Sequence, residues 1–194
     1  MVERFLDHTD FNGYDGLVKN FKVKVPDNFN FGYDVVDAWA AEEPGREALL
    51  WTDEHGDERR FTFGELKDYT DRTAAFFQSL GIGKGDRVML MLKRRYQFWF
   101  SIVALHKLGA VAIPATHLLT EEDIEYRCGK AHIKAIIAAG DEIIINHVEK
   151  ARPHCPTLEW LVSTGPDVPV GWLDFNAGIE CAPSFVRPEH PNDN

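Results

Sequence analysis

Three consecutive cations, Lys93-Arg94-Arg95, follow the strand expected at 87–92, apolar from Val88 onward, and stand where a helix is expected to start. Positive charge at a helix N-terminus opposes the helix dipole, so either a bound anion or nearby acids must make the arrangement tolerable. Both readings stay open: an anion site, or a solvated turn whose cations pair with surface Asp or Glu. Gly81-Ile82-Gly83-Lys84-Gly85-Asp86 has the composition of a phosphate cradle. A cradle, however, follows a strand and precedes a helix. Here the order is reversed, which makes the stretch a tight turn between a helix and the next strand. Thr116 and His117 come directly after Pro114 and Ala115, at the end of a short apolar run. If that run is a strand of a parallel sheet, they stand at its carboxyl rim, where ligands of such folds collect. His147 with His154-Cys155 is the one close group of nitrogen and sulfur donors, and helix-surface and turn positions account for it better than a metal does. No G-x-x-x-x-G-K-[ST], G-x-S-x-G or H-E-x-x-H pattern occurs, and no Ser/His/Asp set follows from residue order. No catalytic residue and no metal ligand is therefore expected within the chain.

The elements that must position these groups centre on Leu108-Gly109-Ala110-Val111-Ala112-Ile113-Pro114. Gly109 suits the left-handed conformation that ends a helix, Ala110 to Ile113 are small or branched as in a buried central strand, and Pro114 stops the strand. Similar steps recur along the chain. Strands are expected at 87–92, 135–139 and 158–163, and helices at 33–41, 63–80, 96–108, 120–129 and 141–151. Thr62-Phe63-Gly64-Glu65 has the form of a capping box, and 48–52 with 59–63 flank a polar glycine turn as a hairpin. Residues 172–175 open a last short helix. Residues 1–30 form an amino-terminal arm whose Phe5, Leu6, Phe11, Phe21, Phe29 and Phe31 are expected to pack across the body of the protein. The fold class is α/β, a mostly parallel sheet of βα repeats with an amino-terminal hairpin.

Composition limits the function. The chain has 194 residues and a net charge of -10, which disfavours a nucleic-acid binder because neutralising phosphates needs a dominant basic face. No apolar run approaches the roughly 20 residues needed to span a bilayer, and the amino terminus lacks the pattern of a signal peptide. Cys128, Cys155 and Cys181 are odd in number and widely spaced, as expected for reduced thiols of a cytoplasmic protein.

Taken in order, Phe61-Thr62-Phe63-Gly64-Glu65-Leu66, the turn 81–88 and the stretch 108–114 resemble the amino-terminal part of the AMP-forming acyl-CoA synthetases, within the adenylate-forming superfamily. Residues 116–127 and Gly171-Trp172-Leu173-Asp174-Phe175 are similar to the medium-chain branch. The resemblance covers about residues 30–194 and implies that 31–194 is the first α/β subdomain of such an enzyme. In that family an ATP-phosphate loop follows shortly after a loop like 187–194, so the chain is expected to stop before it. The implied reaction joins a carboxylate to ATP, releasing pyrophosphate, and transfers the acyl group to the thiol of coenzyme A. ATP, magnesium and coenzyme A are implied for the full-length enzyme, with none binding tightly to this part, which alone is expected to be inactive. Thr116, His117 and Leu118 occupy the loop that approaches coenzyme A in the medium-chain branch. That branch has glutamine where Leu118 stands, so contact there is limited to packing or backbone, and capping of the strand is the other role these residues can have. The rival reading is a freestanding module that binds a CoA-like ligand or a partner chain. An unpaired sheet edge left by truncation predicts self-association.

Overall fold

The structure is a computed structural model that describes residues 2–189. Of the phosphate-loop approach at 187–194, residues 190–194 lie outside the described residues.

A parallel sheet carries the fold. Its strands are β3 (Arg87–Met91), β4 (Val111–Pro114), β5 (Ala135–Ala138), β6 (Trp160–Ser163) and β7 (Leu173–Asp174), in the order β4-β3-β5-β6-β7. Because side chains alternate across a strand, β3 feeds two cores at once. Val88 and Leu90 join the core under α3 (Phe63–Ser79), α4 (Gln97–Leu108) and α7 (Phe175–Glu180). Met89 and Met91 join the core under α5 (Glu121–Ala131) and α6 (Glu142–Ala151). Phe77, Phe100 and Phe175 are fully buried in the first core. Each such side chain contributes about 1.5–3 kcal/mol by leaving water.

Ahead of the sheet lies a hairpin of β1 (Glu47–Thr52) and β2 (Glu58–Thr62), antiparallel, with Thr52 opposite Glu58. Phe61 anchors it, edge-on to both Tyr69 of α3 and Phe100 of α4. The capping box expected at Thr62 is present. Thr62 Oγ1 accepts from the Glu65 N–H at 3.2 Å, and Glu65 Oε2 accepts from the Thr62 N–H at 2.8 Å. That second bond is the main reason the Glu65 carboxyl is held below its usual range. Thr62→Ala is expected to lower stability by about 1 kcal/mol, read as a fall in the urea midpoint with unchanged slope.

Several expectations need correction. The strand after Gly109 is not central and buried but lies at the sheet edge, where Val111 is 46% exposed. Its small branched residues fit an interior strand equally well, and only the crossover from β4 past β3 to β5 sends it outward. Gly109 does take the left-handed conformation, with φ 66°. The helix after Thr120 runs past Gly129 to Ala131 and ends at His132, itself left-handed. The stretch 172–175 contains a two-residue strand before its helix. The helix near 33–41 begins at Gly32 as a wide turn, Gly32–Asp37, before tightening into α2 (Ala38–Glu42). In the arm, α1 (Gly13–Asn20) has no buried residue. Phe5 meets Phe29 and Phe11 meets Phe21, so these aromatics pack largely on one another. Among the described residues, Phe31 alone of the named arm aromatics has a ring contact on the body of the protein, against His106.

Candidate functional site

The carboxyl ends of the strands form one rim. β3 leads to β4 on one side, whereas its other neighbour β5 leads onward to β6, so the connections diverge between β3 and β5. Such a divergence opens the crevice in which α/β sheets bind ligands. Here a salt bridge spans it. Lys93 Nζ donates to Asp141 Oδ2 at 2.5 Å. Lys93 reaches this position with a left-handed backbone, φ 49°, at the turn after β3. Asp141 also caps α6, its Oδ1 accepting from the Ile143 N–H at 3.1 Å. Lys93 is the main reason its carboxyl lies below the usual range.

Of the two readings of Lys93-Arg94-Arg95, the acid partner holds for Lys93 alone. Arg94 and Arg95 are exposed, and no carboxylate among the described residues pairs with them. The Trp51 indole N–H donates to the Arg94 carbonyl and ties the turn to the hairpin. Leu50, Trp51, the three cations, Phe98 and Trp99 line a groove of about 420 Å³.

Thr116, His117 and Leu118 lie at the rim beyond β4 and are all exposed, Leu118 to 75%. Thr116 Oγ1 accepts from the Leu118 N–H at 3.3 Å and rounds off the strand end. None of the three lines the groove at Arg94.

The glycine turn 81–86 is closed from within. The Gly83 N–H donates to Asp86 Oδ2 at 3.0 Å, and Lys134 Nζ donates to both the Gly81 carbonyl and Asp86 Oδ2. Its polar groups are thus engaged with one another, as a connecting turn requires. Among the described residues no group of three or more His, Cys, Asp or Glu could hold a metal. All three cysteines are free; burial, with Cys155 beside it, pushes the Cys128 thiol up to about 12, which leaves it protonated and unreactive.

The most polar buried cluster was not anticipated from sequence. Lys107 is fully buried, and its Nζ donates to Asp37 Oδ1 and Asp71 Oδ1, both at 2.6 Å. The Tyr33 hydroxyl donates to the Lys107 carbonyl at 3.0 Å. Burial raises the Asp37 carboxyl above its usual range in spite of Lys107, and it raises the Tyr33 phenol as well. Asp37, Asp71 and Tyr33 border a cavity of about 470 Å³, over which Arg187 stacks on the Tyr33 ring at 3.8 Å. The available signal was a lysine on the apolar face of an otherwise uncharged helix. Its partners lie 70 and 36 residues away in sequence, so pattern alone could not supply them.

The sequence profile of AMP-binding enzymes matches residues 36–194. The chain is 33% identical over 175 residues to acyl-coenzyme A synthetase ACSM5, mitochondrial, of Rattus norvegicus, covering 87% of this chain and 29% of the relative. It is 34% identical over 173 residues to acyl-coenzyme A synthetase ACSM1, mitochondrial, of Homo sapiens, covering 86% and 29%. The chain therefore spans under a third of the length of the curated relatives it matches. In fold it is similar to the anthranilate CoA ligase AuaEII, with a TM-score of 0.72 at 22% identity over 87% of this chain and 31% of that one. It is also similar to an acyl-CoA synthetase of Brucella canis, with a TM-score of 0.70 at 21% identity over 82% and 29%.

Proposed function

The chain belongs to the AMP-binding enzyme family, and on that footing we propose that it is the amino-terminal α/β part of an AMP-forming acyl-CoA synthetase of the medium-chain type. The observation that carries this reading is the match over 36–194, joined by 33% identity across 87% of the chain to a relative named as an acyl-coenzyme A synthetase. In the whole enzyme a carboxylate oxygen attacks the α-phosphate of ATP and pyrophosphate leaves. The thiol of coenzyme A then displaces AMP from the acyl-adenylate.

This part supplies scaffold and channel rather than reacting groups. Thr116, His117 and Leu118, exposed at the carboxyl rim, are assigned to the wall of the coenzyme A channel, with Leu118 contributing packing and backbone where the branch has glutamine. Among the described residues there is no cluster of three or more His, Cys, Asp or Glu that could hold a metal, and magnesium, implied for the whole enzyme, is assigned no ligand in this part. A reducing compartment, the cytosol by expectation, suits three free cysteines; the mitochondrial location belongs to the mammalian relatives. The unpaired edge of β4 supports self-association of the isolated part.

The test is ATP–pyrophosphate exchange by the longer protein that carries this chain, across aliphatic and aryl acids. Exchange that requires an acid is expected. Absence of exchange with every acid would refute the reading. The 194-residue chain alone is expected to catalyse none, and adenylate formation by it would overturn the division of labour.

A further inference from the structure

The groove beside the hairpin has features the scaffold does not explain. In a chain with a net charge of -10, Arg94 and Arg95 sit side by side without an acid partner among the described residues. Arg59 is nearby, its guanidinium 5.0 Å from the centre of the Tyr96 ring and donating to the Tyr96 hydroxyl at 3.1 Å, with no carboxylate of its own among the described residues. Elsewhere on the hairpin Arg60 does find opposite charge, with Glu47 and Glu58. The turn is also held in place. Trp51 donates to the Arg94 carbonyl, Lys93 is fixed to Asp141, and the Arg95 N–H donates to the Leu92 carbonyl at 3.0 Å. The cations thus sit on a rigid turn at the carboxyl end of β3, beside the strand divergence. In the same groove, Trp99 leaves 48% of its surface in water and Leu50 leaves 46%.

Neighbouring arginines on a rigid turn suit phosphate oxygens, which their planar donors bind in pairs. Exposed indole beside them offers a flat face for a ring. We propose that this groove, about 420 Å³ in volume, binds a phosphorylated small molecule of the nucleotide class, with Arg94 and Arg95 on its phosphates and Trp99 against its ring. The site does not rest on the synthetase reading, and Thr116, His117 and Leu118 take no part in it.

The experiment is calorimetric titration of the 194-residue chain with ADP, pyrophosphate and adenosine at low ionic strength. ADP is expected to bind at one site more tightly than pyrophosphate, and adenosine more weakly than either. R94S/R95S is expected to weaken ADP at least tenfold with an unchanged melting temperature, since both side chains are exposed. Trp99→Ala should weaken ADP severalfold and leave pyrophosphate unchanged. No saturable ADP binding at millimolar concentration overturns the proposal, and so does equal ADP affinity in R94S/R95S and the parent chain. Should R94S/R95S unfold, the single variant Arg95→Gln is read in the same way, with equal affinity again refuting the site.

Discussion

Lys107→Met is expected to destabilise the chain by about 3 kcal/mol, more than any surface substitution. The methionine keeps most of the aliphatic stem, which packs tightly enough that a Cβ on Gly32 would sit 2.6 Å from Lys107 Cγ. What is lost is charge. Asp37 and Asp71, with side chains 18% and 21% exposed, would face each other without the ammonium that now bonds both. Removing one partner of a buried pair costs about 3–5 kcal/mol when the remaining charge is uncompensated, and here Lys67, which also bonds Asp71, compensates part of it. The carboxylates retain some access to the adjoining cavity, which places the value at the lower end. For a domain of this size the loss corresponds to a melting temperature lower by about 6–12 °C.

The sign of the pH dependence follows from Asp37. Its folded-state pKa already lies above the ordinary value through burial, so its contribution is most favourable below the ordinary carboxylate range and is lost as pH rises through the raised value. Without Lys107 that pKa rises further. The variant should therefore be less destabilised at about pH 4.5 than at about pH 7.5. Adding Asp37→Asn to Lys107→Met should restore about half of the loss. Denaturant unfolding of the two variants at both pH values checks all of this. Equal destabilisation at the two pH values would show that packing, rather than charge, dominates the site.

The second large effect is steric. Gly140 and Gly165 follow β5 and β6 and touch backbone to backbone. A Cβ on Gly165 would lie 2.5 Å from Gly140 Cα, and one on Gly140 would lie 2.8 Å from the Gly165 nitrogen. The nearest atoms are backbone and cannot swing aside as a side chain would, so the two strand ends must separate. Ser163, whose Oγ accepts from the Gly165 N–H at 3.1 Å, would be displaced with them. Gly140→Ala and Gly165→Ala are each expected to cost about 3 kcal/mol, at the upper end for overpacking. The double variant should cost less than the sum, because one separation accommodates both methyl groups. Gly129→Ala is the control. That glycine is exposed within α5, a Cβ there would meet nothing within 4 Å, and the substitution should stabilise by about 0.5–1 kcal/mol. Thermal melts of the four variants read the contrast directly.

The sequence by itself determined the elements whose cause is local. The capping box at Thr62 depends on residues three apart, and the left-handed ending at Gly109 depends on one residue. The buried run at 87–91 needs only its own composition to read as an interior strand. The ordered motifs were also enough for the family, because they sit in the chain and not in its folding. Where two outcomes share one local pattern, the sequence left them open. Val111 to Pro114 reads as an interior strand and lies at an edge, since sheet order is set by which way each connection crosses. The cations at 93–95 could be neutralised or free. Only the fold decided that Lys93 meets Asp141 while Arg94 and Arg95 stay open to a groove. The same holds for Lys107, which looks like any helix-end lysine until Asp37 and Asp71 are brought to it across three segments. A charge is legible in one dimension, but whether it is paired depends on distance in three.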